Sequence, residues 1–283
     1  MMRLLLGFTV LAACSSNHSS VSGVPDASRG GASDSGGVTS DAGGGDAAAA
    51  IDAAPDAYVD RGVEQDYDDL ATTLVGAMRT QELQAMQDGI TTAYNGGTLA
   101  GFTSPQPGEL TGTRNGVSYD YMFHCEDQQR FDNTTCGPAS DHIHWMATIN
   151  GPVTSDALSF SEFKLTTKWT IYEIDLDKPQ VTGYDHLLLV ADLASDGTRF
   201  QLTVDGPTFD HVRLDPQPTF PFAGGVSYTI SATRTRQTAN PAQRAFAASA
   251  AVTFTGPGAA TLVLDGTHTY DIDMSTGAVA RQP

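Results

Sequence analysis

Between residues 67 and 94, apolar side chains recur every three to five positions, at Leu70, Leu74, Met78, Leu83, Met86, Ile90 and Tyr94. That spacing gathers them into one stripe and predicts a single amphipathic helix over 67–94. Asp66, Asp68 and Asp69 stand at its start, where carboxylates favour the helix dipole. Asn95-Gly96-Gly97 supplies a left-handed stop at its end. From about residue 98 the period falls to two. Phe163, Leu165, Thr167, Trp169 and Ile171 alternate with polar residues. So do Phe246, Ala248, Ala250, Val252 and Phe254, and then Tyr270, Ile272 and Met274. Asn115-Gly116, Asn150-Gly151, Asp196-Gly197 and Asp265-Gly266 fall between such runs, as tight hairpin turns require.

Hairpins in series give antiparallel pairing, because parallel strands need crossover helices and the pattern offers none. The expected fold is therefore mainly β. It is a curved antiparallel sheet or open barrel of about ten to twelve strands, including weaker ones near 109–114 and 208–214, with the 67–94 helix packed on it. A two-sheet sandwich is the alternative. Ala245, Ala247, Ala248, Ala250 and Ala251 are small enough to let a helix or second sheet approach closely. In its order of helix then curved meander, the chain resembles periplasmic lipoprotein carriers of the LolA/LolB kind. No residue motif is shared, and likeness of architecture carries no function by itself.

The first 60 residues follow neither period. Met1-Met2-Arg3 is a short positive start, and Leu4 to Leu11 is an apolar run well below the roughly 20 residues of a spanning helix. This reads as a secretory signal peptide over 1–13. Its end, Leu11-Ala12-Ala13-Cys14, resembles the lipobox of bacterial lipoproteins. The resemblance implies cleavage before Cys14 and a diacylglyceryl group on its thiol, hence a membrane partner reached through lipid. Ser15 and Ser16 follow the cysteine in place of Asp, which in that family implies the outer rather than the inner membrane. Ser, Gly, Ala and Asp then fill 34 of the 46 positions from 15 to 60. A segment so poor in apolar residues cannot offset its ordering entropy, so it reads as a disordered tether with a reach on the order of 35–40 Å. The remaining stretch, 61–283, is expected to form a single domain.

Charge narrows the partners. With 33 acidic and 15 basic residues the net charge is −18, which argues against a nucleic-acid face and against a polybasic lipid-binding patch. Of three cysteines, Cys14 goes to lipid, leaving Cys125 and Cys136 in an exported domain where oxidising conditions favour a disulfide. Two free thiols or a metal site are the alternative for that pair.

Catalytic signatures are absent from the sequence. There is no Gly-x-Ser-x-Gly, no phosphate-binding loop and no His-Glu-x-x-His, and His124-Cys125-Glu126 lacks the Pro-Cys-x-x-Cys partner of zinc deaminases. No enzyme activity and no obligatory cofactor are expected. Glu173, Asp175 and Asp177 alternate at a strand end, where solvation explains them more simply than calcium does. Trp145 and Trp169 fall in phase with Ile143 and Ile171 and so belong to the core. One pattern points to chemistry. If Tyr119, Tyr121 and Phe123 face inward, then Asp120, Met122 and His124 face outward. If Ile143, Trp145, Ala147 and Ile149 face inward, then His142, His144 and Met146 face outward as well. Were the two strands hairpin neighbours, His124, His142 and His144 would share one surface suited to zinc or copper.

Three readings follow: a non-enzymatic envelope lipoprotein that binds another envelope protein or a wall component, a carrier of a small apolar ligand or lipid between sheet and helix, and a metal-binding module.

Overall fold

The computed structural model describes residues 62–127, 132–133, 136–137, 140–154, 158–174, 178–193, 198–216, 219–236 and 243–283. The expected signal peptide, Cys14, the expected tether, Asp175, Asp177 and the expected turn at Asp196-Gly197 lie outside the described residues.

Alternation along the chain becomes strand after strand. In order they are β1 (Glu109–Arg114), β2 (Val117–Asp127), β3 (Asp132–Asn133), β4 (Ser140–Asn150), β5 (Val153–Thr154) and β6 (Ser159–Tyr172). The second half adds β7 (Gln180–Leu193), β8 (Thr198–Pro216), β9 (Thr219–Arg236), β10 (Gln243–Gly256), β11 (Ala259–Leu264), β12 (His268–Asp273) and β13 (Ala278–Arg281). All belong to one curved, open antiparallel sheet in the order β1-β2-β4-β6-β7-β8-β9-β10-β11-β12-β13, with β3 paired to β2 and β5 to β6. The expected sheet is thus present, and the sandwich alternative is not. The 208–214 strand proves to be the end of the long β8.

The turn signals fared unevenly. Asn115 and Gly116 take φ of 52° and 82° and join β1 to β2 in a two-residue hairpin, and Asp265 and Gly266 take 48° and 71° between β11 and β12. Asn150-Gly151 closes no hairpin. Gly151 leads into the short β5, and β4 pairs with β6 beyond it.

The helix runs from Gly62 to Tyr94 as α1 (Gly62–Ala77), a π-turn (Met78–Glu82) and α2 (Leu83–Tyr94). In the apolar stripe, the step from Met78 to Leu83 is five residues. The Leu83 N–H donates to the Met78 carbonyl across those five residues, so the π-turn absorbs the irregular step and keeps the stripe on one side. Leu70, Leu74, Met78, Leu83, Met86 and Ile90 are buried, whereas Tyr94, which the periodicity placed with them, is 52% exposed. Gly97 N–H donates to the Thr92 carbonyl and ends the helix as expected.

This helix lies on the inner face of the sheet, with α1 against β11–β13 and α2 against β4 and β9. Trp145 and Trp169 face each other across β4 and β6 beneath it, both buried. Gly89 allows the close approach. A Cβ there would stand 2.8 Å from Ile171 Cδ1 and 3.2 Å from the Trp145 ring. Of the five alanines expected to permit such contact, only Ala248 and Ala250 point inward, while Ala245, Ala247 and Ala251 are exposed on the other face.

The early acids have a different role from the one the sequence suggested. Because the helix starts at Gly62, Asp66 and Asp69 fall a turn or more inside it and pair with strand arginines. Arg234, 4% exposed, donates through Nε to Asp66 at 2.8 Å and also binds Asp69, and Arg244 binds Asp66. Asp68 accepts the Tyr270 hydroxyl at 2.9 Å.

Candidate metal centre

The side chains in question lie on the opposite, outer face, near one edge of the sheet. β2 and β4 are neighbours, so the condition for gathering the histidines is met. Register places His124 opposite His144, Met122 opposite Met146 and Glu126 opposite His142. The two facing imidazoles stack with ring centroids 4.4 Å apart. Cys125, between His124 and Glu126, turns inward and is joined by a disulfide to Cys136, with Cα atoms 5.2 Å apart. This covalent tie holds the end of β2 where the outward residues sit.

Glu126 is the hub. Its Oε1 lies 3.0 Å from His144 Nε2, and its Oε2 lies 2.9 Å from His142 Nε2. These contacts hold its carboxyl below the ordinary carboxylate range, the bond to His144 contributing most, with burial opposing. Behind the rings stand further partners. Thr170 Oγ1 is 3.2 Å from His144 Nδ1, and Asp141 Oδ2 is 3.0 Å from His142 Nδ1. A hydroxyl both donates and accepts, so Thr170 can serve either tautomer of His144. A ligating imidazole needs such support on its far nitrogen.

His124, Glu126 and His144 each offer one ligand atom, and these atoms lie within 4.8 Å of one another. Tetrahedral zinc with bonds of 2.0–2.1 Å needs ligand atoms about 3.4 Å apart. Small side-chain rotations of partly exposed residues cover that difference. The donor set of two imidazoles and one carboxylate suits a borderline cation and leaves coordination positions open to solvent. His142 stands one place further out, bound to the far oxygen of Glu126. Met122 and Met146 form the adjoining row, about 7 Å along the strands, too far to share an ion held by the histidines.

The three predicted histidines are therefore brought to one surface, together with Glu126, which the sequence reading did not single out. Glu126 is in phase with His124, two residues on, and that alternation was the available signal. In a chain with 33 acidic residues such alternation singles out no one carboxylate.

A second titratable cluster lies between helix and sheet. Glu82 projects from the π-turn and is 1% exposed, and the Tyr228 hydroxyl donates to it at 3.5 Å. Burial pushes its carboxyl up to about 8. Asp185, 2% exposed beside the Trp169 indole, is held well above the usual range by burial first and by Glu82 second. The Tyr228 phenol is raised by burial and by both acids. Nearby, Asp88 accepts from Tyr121 at 2.7 Å and from Arg114 at 2.6 Å.

No protein-family model, no curated protein and no solved structure matches this chain.

Proposed function

We propose that this chain is a lipid-anchored binding module of the bacterial cell envelope that takes a divalent transition-metal cation, zinc or copper, at His124, Glu126 and His144. The observation that carries the reading is the direct cross-strand pairing of two imidazoles with a carboxylate on the same face, all within 4.8 Å. The partners behind the rings and the neighbouring disulfide support it, since both hold ligands in place before an ion arrives. The anchor rests on Leu11-Ala12-Ala13-Cys14, and the tether gives the domain freedom to work beside the membrane. A carrier is supported less well, because where its ligand would lie, between sheet and helix, buried side chains such as Met86, Trp145 and Ile171 already pack.

Calorimetric titration of the purified protein with zinc and copper tests the centre. One ion should bind in the micromolar range or tighter. Changing His124 and His144 together to Ala should weaken binding at least a hundredfold, whereas His186→Ala, on the same face but paired with Asp205, should not. Millimolar binding, or binding indifferent to the double change, refutes the reading. The anchor is tested separately: labelled palmitate should enter the wild type and not Cys14→Ala, and equal labelling of the two would refute it.

A further inference from the structure

Beside the histidines the outer face sinks into a depression of about 260 Å³. Its bed is one cross-strand row: Met122 on β2 faces Met146 on β4, Met146 faces Lys168 on β6, and Lys168 faces Tyr184 on β7. With strands about 4.8 Å apart, the row spans about 14 Å. Met122 at one end is 45% exposed and Tyr184 at the other 55%, so large apolar side chains stand in water at both rims. Thr148 and Thr166, paired in the next row, add hydroxyls to the wall. Apolar walls with a few converging polar groups are the makings of a small-molecule site, and this volume falls just under the range of drug-sized pockets.

The sign of the ligand follows from Lys168. In a chain of net charge −18, its ammonium has no carboxylate partner among the described residues. Two acids border the depression. Asp185 turns its side chain to the inner face, and Asp120 lies in the next row, two strands away from Lys168. The charge left to be met within the row is positive.

We infer that this depression binds a small organic anion with an apolar body, such as a medium-chain carboxylate. Its carboxylate meets the Lys168 ammonium and the Thr166 hydroxyl on the same strand, away from Asp120, and its hydrocarbon lies between Met122, Met146 and the Tyr184 ring. Lys168 and Tyr184 supply no ligand to the metal centre, so this inference stands apart from it.

The test uses sodium octanoate, with the full chain carrying Cys14→Ser so that no micelle competes, in a chelating buffer that removes metal. Methyl-labelled methionine signals are followed by NMR alongside calorimetry. Octanoate should saturate one site below millimolar concentration and shift the Met122 and Met146 methyl signals. Lys168→Ala should weaken it at least tenfold, Tyr184→Ala several-fold, and His124→Ala not at all. Octylammonium, with the same chain and opposite charge, should bind at least tenfold more weakly. Equal binding of octylammonium, indifference to Lys168→Ala, or no saturation by octanoate would each overturn the inference. None of these outcomes bears on zinc or copper binding by the histidines.

Discussion

Glu82 offers the most quantitative handle on this fold. An unfolded chain titrates this group near 4.5, whereas burial under the helix raises it to about 8 in the folded protein. Between those values the folded state holds a proton that the unfolded state has released. Stability must then fall as pH rises through the window, by about 1.4 kcal/mol per pH unit for the single group. Across the whole window this amounts to roughly 5 kcal/mol, comparable with the total stability of many domains. Asp185 acts in the same direction, and the two lie close enough for each to oppose the other's ionisation. Carboxyls held low, such as Glu126 and Asp273, contribute with the opposite sign, but their effect is lost as pH falls below the window. Urea unfolding followed by the fluorescence of Trp145 and Trp169, at intervals from pH 5 to pH 9, reads the slope directly. Glu82→Gln keeps the shape and removes the charge, so it should match the wild type near pH 5 and lose less stability as pH rises. Adding Asp185→Asn should flatten the curve. If wild type and Glu82→Gln lose stability in parallel through this range, Glu82 is not held protonated and the reasoning fails.

Two further outcomes test the packing and the site. Asp66→Ala leaves the buried Arg234 guanidinium with Asp69 but without Asp66 and should cost about 2–3 kcal/mol, while Glu64→Ala, in an exposed pair with Arg281, should cost under about 1 kcal/mol. Similar losses from both, measured by chemical denaturation, would contradict the burial argument. Free-thiol titration of the native protein should find Cys125 and Cys136 unreactive. Reducing them should remove roughly 3 kcal/mol of stability and weaken zinc binding, and two titratable thiols before reductant would refute the pairing.

What the sequence determined by itself is what local backbone geometry dictates. A period of 3.6 or 2 is a property of neighbouring residues. It sufficed to place the helix, to turn Trp145 and Trp169 inward, and to turn His124, His142 and His144 outward. Even the five-residue step from Met78 to Leu83 was visible in the pattern, as a break whose meaning, the π-turn, emerged only with the backbone hydrogen bonds. The tertiary structure alone decided which outward residues meet. Direct opposition of His124 and His144 depends on the register of two strands joined by the disulfide loop, and a slip of two residues would have set Met122 against His144. Asp66 carries the same local signal as any acid early in a helix, yet its partners Arg234 and Arg244 come from strands more than 160 positions away. Glu82 and Asp185 each sit in an apolar phase that a strict reading of the period could have flagged. Their shared protonation, however, arises from loss of water around both at once, and only the closing of the helix onto the sheet removes that water.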